Sequence, residues 1–315
     1  MKILFSLLIF FSAAVPAWDL GSVGTFKFEK ITQDTYIMHG PLDEPSKANQ
    51  GFMNNPGIIV SANGIILIDP GATYPVGKQV LKEIEKISKK PILAIFNTHI
   101  HGDHWLANQA IKEKYPQVEI YAHPKMIKQA NAEQGANWVD LMLRLTEGLS
   151  TGTKVVAAFK PLSNGDKLNI DGQQFVIHSL EKAHTNTDIM IEHLNTKTLF
   201  LGDNSFALRL GRFDESADIS GNIAALQLAQ TLKLDFYVPG HGQTGPFSQA
   251  VKPFLNYLIQ LKKAVKAGYE DGIEDFEIKE KIIEQFSEYK NWHGFDTNFG
   301  KHINKLYLET EAAEF

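Results

Sequence analysis

From residue 26 the chain reads FKFEKITQDTYIMHG, with apolar and polar positions alternating on either side of Gln33–Asp34, the pattern of two half-buried strands joined by a turn. Residues 42–57, LDEPSKANQGFMNNPG, lose that pattern and read as a polar loop. The following IIVSANGIILIDPG holds two apolar runs around Asn63–Gly64, a dipeptide suited to a tight hairpin because both residues tolerate positive φ. The period then changes to about 3.6. Val76, Val80, Ile84 and Ile87 share one face and Lys and Glu the other, which predicts an amphipathic helix. A strand over residues 92–96, a helix over 108–115, a strand over 118–122 and a mostly helical stretch over 125–147 follow. Short strands with turns at Asn164–Gly165 and Asp171–Gly172 occupy 160–176, and two more flank Asn195. A helix over 219–233, a strand end in DFYVPGHG and a long helix over 249–267 complete a second round of strands then helix. Tight hairpins between several of these pairs argue against one parallel sheet, and the order suits two stacked sheets with helices on their outer faces.

The start of the chain stands outside this scheme. MKILFSLLIFFSAAVPA has one lysine, an apolar run from Ile3 to Phe11 and a small-residue ending, the layout of a secretory signal peptide with cleavage expected after Ala17. The run is short for a membrane span. The expected mature protein therefore has no membrane partner and is periplasmic or secreted. The expected division is a signal peptide over 1–17, one main domain over 18–267 and a charged, helical C-terminal extension over 268–315. A chain of 315 residues, 43% of them apolar, can bury one sizeable core. The net charge of −5 and the lack of a basic stripe exclude a nucleic-acid partner and leave a small-molecule substrate. Cysteine is absent, so no disulfide and no thiolate ligand can form. Any site for a borderline metal has to be built from imidazole and carboxylate.

Such a set is present. Three of the chain's 11 histidines fall within six positions, in NTHIHGDH, directly after the apolar run Ile92–Phe96. This loop offers His99, His101, Asp103 and His104. Later apolar runs end near His184 (EKAH), Asp203 (LFLGD) and His241 (VPGHG), and strand ends are where side chains converge on one rim of a scaffold. His99, His101 and His184 can hold one metal, Asp103, His104 and His241 a second, and Asp203 has an oxygen for each. Gly102 is expected to let the chain turn between His101 and Asp103. Asp69, closing the strand IILID, is expected to orient the loop by hydrogen bonds. His39, His123, His178, His193, His293 and His302 lack comparable context and are read as non-ligands. Asn186 and Asn204 are candidates for supporting or substrate contacts, Trp105 is read as packing, and residues 42–57 and 134–153 are expected to border the pocket.

The order His-x-His-x-Asp-His, then His184, Asp203 and His241, resembles the metallo-β-lactamase superfamily over residues 26–263. The resemblance implies an α+β fold, an αββα four-layer sandwich, with two Zn2+ per chain, or Fe in their place. It implies a hydrolase in which a metal-bridging hydroxide cleaves a small ester, thioester, lactone or amide, with Asp103 positioning that hydroxide and handling its proton. More narrowly, the chain is similar to exported quinoprotein relay system zinc metallohydrolases. The shared pieces are the leader, Asn55 and Gly57, AHTNTD with Asn186, PGHG, Trp292, Phe295–Asp296 and the run Tyr307 to Glu309. Asp203 stands where thiolate-using β-lactamases place Cys, which argues against a true lactamase. The acidic tail lacks the basic region of glyoxalase II, and about fifty residues cannot supply the flavodoxin domain of diiron relatives. Two other readings stay open at this point. One is a mononuclear iron persulfide dioxygenase on His99, His184 and Asp203. The other is a non-catalytic periplasmic binding or accessory protein with a blocked pocket.

Overall fold

A computed structural model describes residues 26–314, and the expected signal peptide lies outside the described residues. Four short antiparallel strands open the fold: β1 (Phe28–Lys30), β2 (Thr35–Met38), β3 (Gly57–Val60) and β4 (Ile65–Ile68). Helix α1 (Tyr74–Ile87) begins where Thr73 accepts a hydrogen bond from the Val76 N–H and Pro75 presets the first turn. Of its predicted face, Val76, Val80 and Ile84 are buried and Ile87 is half-buried. The chain then forms β5 (Ile92–Phe96), α2 (Gly102–Trp105), α3 (Asn108–Lys114), β6 (Glu119–Ala122), α4 (Pro124–Ala130), α5 (Glu133–Leu145) and β7 (Lys160–Pro161). Strands β4 to β7 pair in parallel, completing a seven-stranded sheet in sequence order.

The second sheet has five strands: β8 (Lys167–Ile170), β9 (Gln173–His178), β10 (Met190–His193), β11 (Thr198–Phe206) and β12 (Phe236–His241). The first four are antiparallel, and β12 returns parallel to β11 after helix α6 (Ile219–Leu232). Helices α7 (Phe247–Ala250), α8 (Lys252–Glu270), α9 (Asp275–Ile282) and α10 (Phe295–Ala312) follow.

Alternation along the strands divides the core into three. Ile66 and Ile68 face inward with Ile59, Phe96, Ile177, Ile191 and Phe200 between the two sheets. Ile65 and Leu67, one position along, join Val80, Ile84 and Trp105 beneath the helices of the first sheet. Leu199 and Leu201 face the other way, against Leu226, Phe254, Leu258 and Phe299 of the second helical layer. Successive side chains on a strand point to opposite faces. Strands buried on both faces therefore read as unbroken apolar runs. The layers are helix, sheet, sheet, helix, the αββα arrangement expected from the sequence, with the C-terminal extension continuing the last layer.

Two predicted helices are divided in the structure. The stretch 249–267 breaks at Val251, which leaves helical geometry (φ −128°, ψ −49°) just before α8 opens at Lys252, with Pro253 in its first turn, where a missing backbone donor is tolerated. The stretch 125–147 breaks between Ala130 and Glu133, where Ala132 is extended.

Candidate metal centre

The seven predicted residues gather on one rim of the sandwich, six of them at or past strand ends and Asp203 within a strand. His99 and His101 follow β5. Asp103 and His104 sit in α2, a single turn that presents both to the same side. His184 is in the loop between β9 and β10, and His241 is the last residue of β12. Asp203 lies within β11, where the pairing to β12 shifts register on both sides of Gly202. That irregularity swings Asp203 out of the regular alternation. Gly240, opposite it, leaves the room. A Cβ there would overlap Asp203 Oδ1 and lie 2.9 Å from the Gly202 carbonyl carbon.

The donor atoms form two groups, His99, His101, His184 and Asp203, and Asp103, His104 and His241, each within 4.8 Å of one another. Asp203 is shared between them. Its Oδ2 lies 3.8 Å from His99 Nε2 and 3.5 Å from His184 Nε2, while its Oδ1 lies 3.0 Å from His104 Nε2 and 3.3 Å from His241 Nε2. Asp103 Oδ2 is 3.4 Å from His104 Nε2 and 3.3 Å from His241 Nε2.

The outer nitrogens are anchored. His104 Nδ1 donates to Asp69 Oδ2 at 2.8 Å, and His241 Nδ1 donates to the Met53 carbonyl at 2.8 Å. Thr98 donates to Asp69 through both its N–H (2.8 Å) and its hydroxyl (2.7 Å), so that hydroxyl is left to accept from His99 Nδ1 at 3.0 Å. Asp69 thus fixes the tautomer of one histidine in each group. Asn54 holds Asp69 in turn, donating to its carbonyl at 2.8 Å. The expected orienting role of Asp69 holds.

These residues fit a pair of metal ions. His99 Nε2, His104 Nε2 and Asp203 Oδ1 are buried with no hydrogen-bond partner. Native structures rarely leave such atoms unsatisfied, and imidazole with carboxylate suits zinc. Burial, then the neighbouring His104, holds His99 well below the usual imidazole range, and burial brings His184 down to about 3. Both therefore present free lone pairs at neutral pH. Burial opposes ionisation of Asp203 and Asp103, but the histidines around them win, and both carboxylates stay well below their ordinary range.

The sequence profile of the Metallo-beta-lactamase superfamily matches residues 50–241. The chain belongs to that superfamily. A probable metallo-hydrolase of Methanocaldococcus jannaschii is 28% identical over 203 residues, 62% of this chain and 90% of that one. Among solved structures, a metallo-beta-lactamase from Pontibacter korlensis superposes with a TM-score of 0.58 at 20% identity, covering 74% of this chain and 98% of the other. A stereoselective inverting sec-alkylsulfatase from Pseudomonas sp. superposes with a TM-score of 0.70 at 17% identity. That match covers 90% of this chain but 50% of the sulfatase.

In this member of the superfamily a pocket of about 500 Å3 opens onto His101, Asp103, Asp203 and His241. The two segments predicted to border it do so, through Glu44, Pro45 and Met53 on one side and Gln134, Trp138 and Leu141 on the other. A third wall was not foreseen: the strap 207–218 after β11, with Arg209, Arg212 and Asp214. Asp214 Oδ2 lies 3.2 Å from His101 Nε2, leaving Nδ1 of that ring for the centre, and Ser216 holds the other carboxylate oxygen. The only advance signal was a polar sequence, LRLGRFDES, directly after a strand bearing a candidate ligand.

Other expectations are refined. Gly102 has ordinary negative φ, so no special turn requires it. Instead a Cβ there would come within 3.0 Å of Trp138 and Leu106, and glycine admits the Trp138 ring, whose centroid lies 5.1 Å from that of His101. Trp105 is fully buried and donates to the Ile100 carbonyl, as packing requires. Asn204 donates to the Leu201 carbonyl and Asn186 accepts from Gln129, and neither lines the pocket. The six other histidines stand outside both donor groups.

Proposed function

We propose that the chain is an exported binuclear zinc hydrolase acting on a small ester, thioester, lactone or amide. In this reading His99, His101 and His184 hold one zinc, Asp103, His104 and His241 the other, and Asp203 touches both. The observation that carries it is the division of the Asp203 carboxylate between two histidine groups whose inward nitrogens are buried. When bound, two divalent ions supply Lewis-acid activation of water and of the scissile carbonyl. The chain's own residues do the rest. Asp203 places negative charge between the two positions, and Asp103, which reaches the pocket, takes up and passes on a proton. Among the described residues no Ser, Thr or Cys lines the pocket, in keeping with hydrolysis without an acyl-enzyme on such a side chain. The open pocket favours a catalyst over an accessory protein. The leader over 1–17 supports export to the periplasm or medium, and the sequence pieces at Asn55, Gly57, Trp292 and Tyr307 support kinship with the quinoprotein relay subgroup.

The test is elemental analysis of the purified protein joined to a panel of ester, thioester, lactone, β-lactam and alkyl sulfate substrates. We expect two zinc per chain and hydrolysis that disappears on chelation. His101→Ala and His241→Ala should each lower turnover at least ~100-fold, the scale of a lost electrostatic stabiliser. Full activity in metal-free protein overturns the reading. Iron with oxygen consumption on a persulfide would establish the dioxygenase instead.

A further inference from the structure

We propose that the pocket beside the metal centre selects an amphipathic anion, with the anionic group on Arg212, beside the committed Arg209, and an apolar body along α5. The inference rests on the hydrolase reading of the same site and names its substrate class. Of the 31 Lys and Arg residues in the chain only three are Arg, and two of those three line this pocket, whereas no Lys among the described residues does. Arg and Lys supply charge equally. What Arg adds is a planar fork that matches carboxylate, sulfate or phosphate oxygens in pairs, so its concentration here points to an oxyanion.

The two arginines differ in their commitments. Arg209 is buried, with one terminal nitrogen donating to the Leu42 carbonyl and the other to Glu44 Oε1 at 2.7 Å. Its Nε is buried without a hydrogen-bond partner among the described residues. A donor buried this way is costly unless something accepts from it. Arg212 is exposed at the pocket and makes no hydrogen bond or ion pair with any described residue. The nearby carboxylates are already engaged, Asp214 with His101 and Ser216, Glu44 with Arg209. Arg212 is thus the uncommitted charge of the pocket.

The facing wall is apolar. Trp138, Leu141, Met142 and Leu145 line it from α5, and Leu145 remains 40% exposed. A substrate that only carried charge would leave this surface wet. One with an alkyl or aryl body covers it and gains by removing that apolar surface from water.

The strap bearing the arginines is held from outside. Leu210 N–H donates to the His293 carbonyl at 2.8 Å and His293 N–H to the Leu208 carbonyl at 3.0 Å. The Asn298 amide donates to the Leu210 carbonyl and His302 Nε2 to the Gly211 carbonyl, both at 2.8 Å. The arginines therefore stand on a fixed support, as a selective subsite requires.

The experiment compares zinc-loaded wild type with Arg212→Ala on matched p-nitrophenyl esters: a neutral hexanoate, its ω-carboxylate and its ω-sulfonate. We expect the wild type to favour at least one anionic ester over the neutral one by ~10-fold or more in kcat/KM. In the variant that ratio should fall ~10-fold, mainly through KM, with zinc content retained. Arg212→Lys should restore it in part. The two anionic arms separate carboxylate from sulfonate recognition. A wild type without preference for either anion, or a ratio that Arg212→Ala leaves unchanged, overturns the proposal. If neither these esters nor the wider substrate panel is hydrolysed, the hydrolase reading fails, and calorimetric binding of 1-octanesulfonate and octanoate decides the pocket separately. Weaker binding in Arg212→Ala upholds the anion subsite, and equal binding overturns it.

Discussion

Asp69 touches neither proposed metal, yet its replacement by Asn should weaken both. The carboxylate accepts three buried hydrogen bonds, from the Thr98 N–H, the Thr98 hydroxyl and His104 Nδ1. A carboxamide can keep only one acceptor oxygen. If that oxygen stays with the Thr98 N–H, the new NH2 faces the Thr98 hydroxyl and His104. His104 must then accept at Nδ1, which puts its proton on Nε2, the atom aimed at Asp203 Oδ1. The Thr98 hydroxyl turns to accept from the amide and donates to His99 Nδ1, so His99 also carries its proton on Nε2. If the amide flips, both tautomers survive but the buried Thr98 N–H loses its partner, at about 1–3 kcal/mol. Supporting hydrogen bonds of this kind are worth about 10–100-fold in metal affinity. Competition with a chromophoric chelator should therefore show both zinc affinities of Asp69→Asn reduced by about that factor, or else urea unfolding of the metal-free variant should show the stability loss. Unchanged affinities together with unchanged metal-free stability would refute the reasoning.

Gly240→Ala pushes a methyl group into Asp203 and should cost zinc at both positions at once, on the order of 10-fold or more. Retention of two tightly held zinc ions, by elemental analysis after dialysis, would contradict the account of Gly240. His302, buried between the Tyr257 hydroxyl and the Gly211 carbonyl, is pushed by burial down to about 4 from 6.5. Above pH 6.5 this difference has no effect. Below it the unfolded chain takes a proton that the folded one refuses, so stability falls with pH until about 4. Between pH 7 and 5 the loss is on the order of 2 kcal/mol. Urea unfolding of metal-free wild type should steepen by that amount relative to His302→Gln, and parallel profiles would show that His302 does not titrate in this way.

The candidate ligand set was legible because each member comes after an apolar run that forms a strand, Asp203 still within β11 and the others at or past strand ends, and such positions keep their places whatever the loops do. Pairing of the elements was legible from Asn63–Gly64 and the other turn dipeptides for the same local reason, although the β3–β4 hairpin closes with neither Asn63 nor Gly64 at positive φ. Asp214, Arg209 and Arg212 were not. They lie on an irregular strap whose path is fixed by His293, Asn298 and His302, some 85–90 positions later, and no local pattern encodes such a contact. His302 stands outside both donor groups, and its partners Tyr257 and Gly211 come together only in the tertiary fold. Gly102 misled because glycine has two uses, backbone freedom and missing bulk, and a sequence does not say which is in play.

The contacts between the strap and α10 separate two kinds of change that such a protein can undergo. The reactive centre is built from strand ends inside residues 99–241, while the surface that chooses what enters is shaped in part by residues 293–302. Drift in the tail can therefore redirect the enzyme toward new molecules while its reaction stays the same. It also means that a family signature ending at residue 241 identifies the chemistry and is silent on the diet.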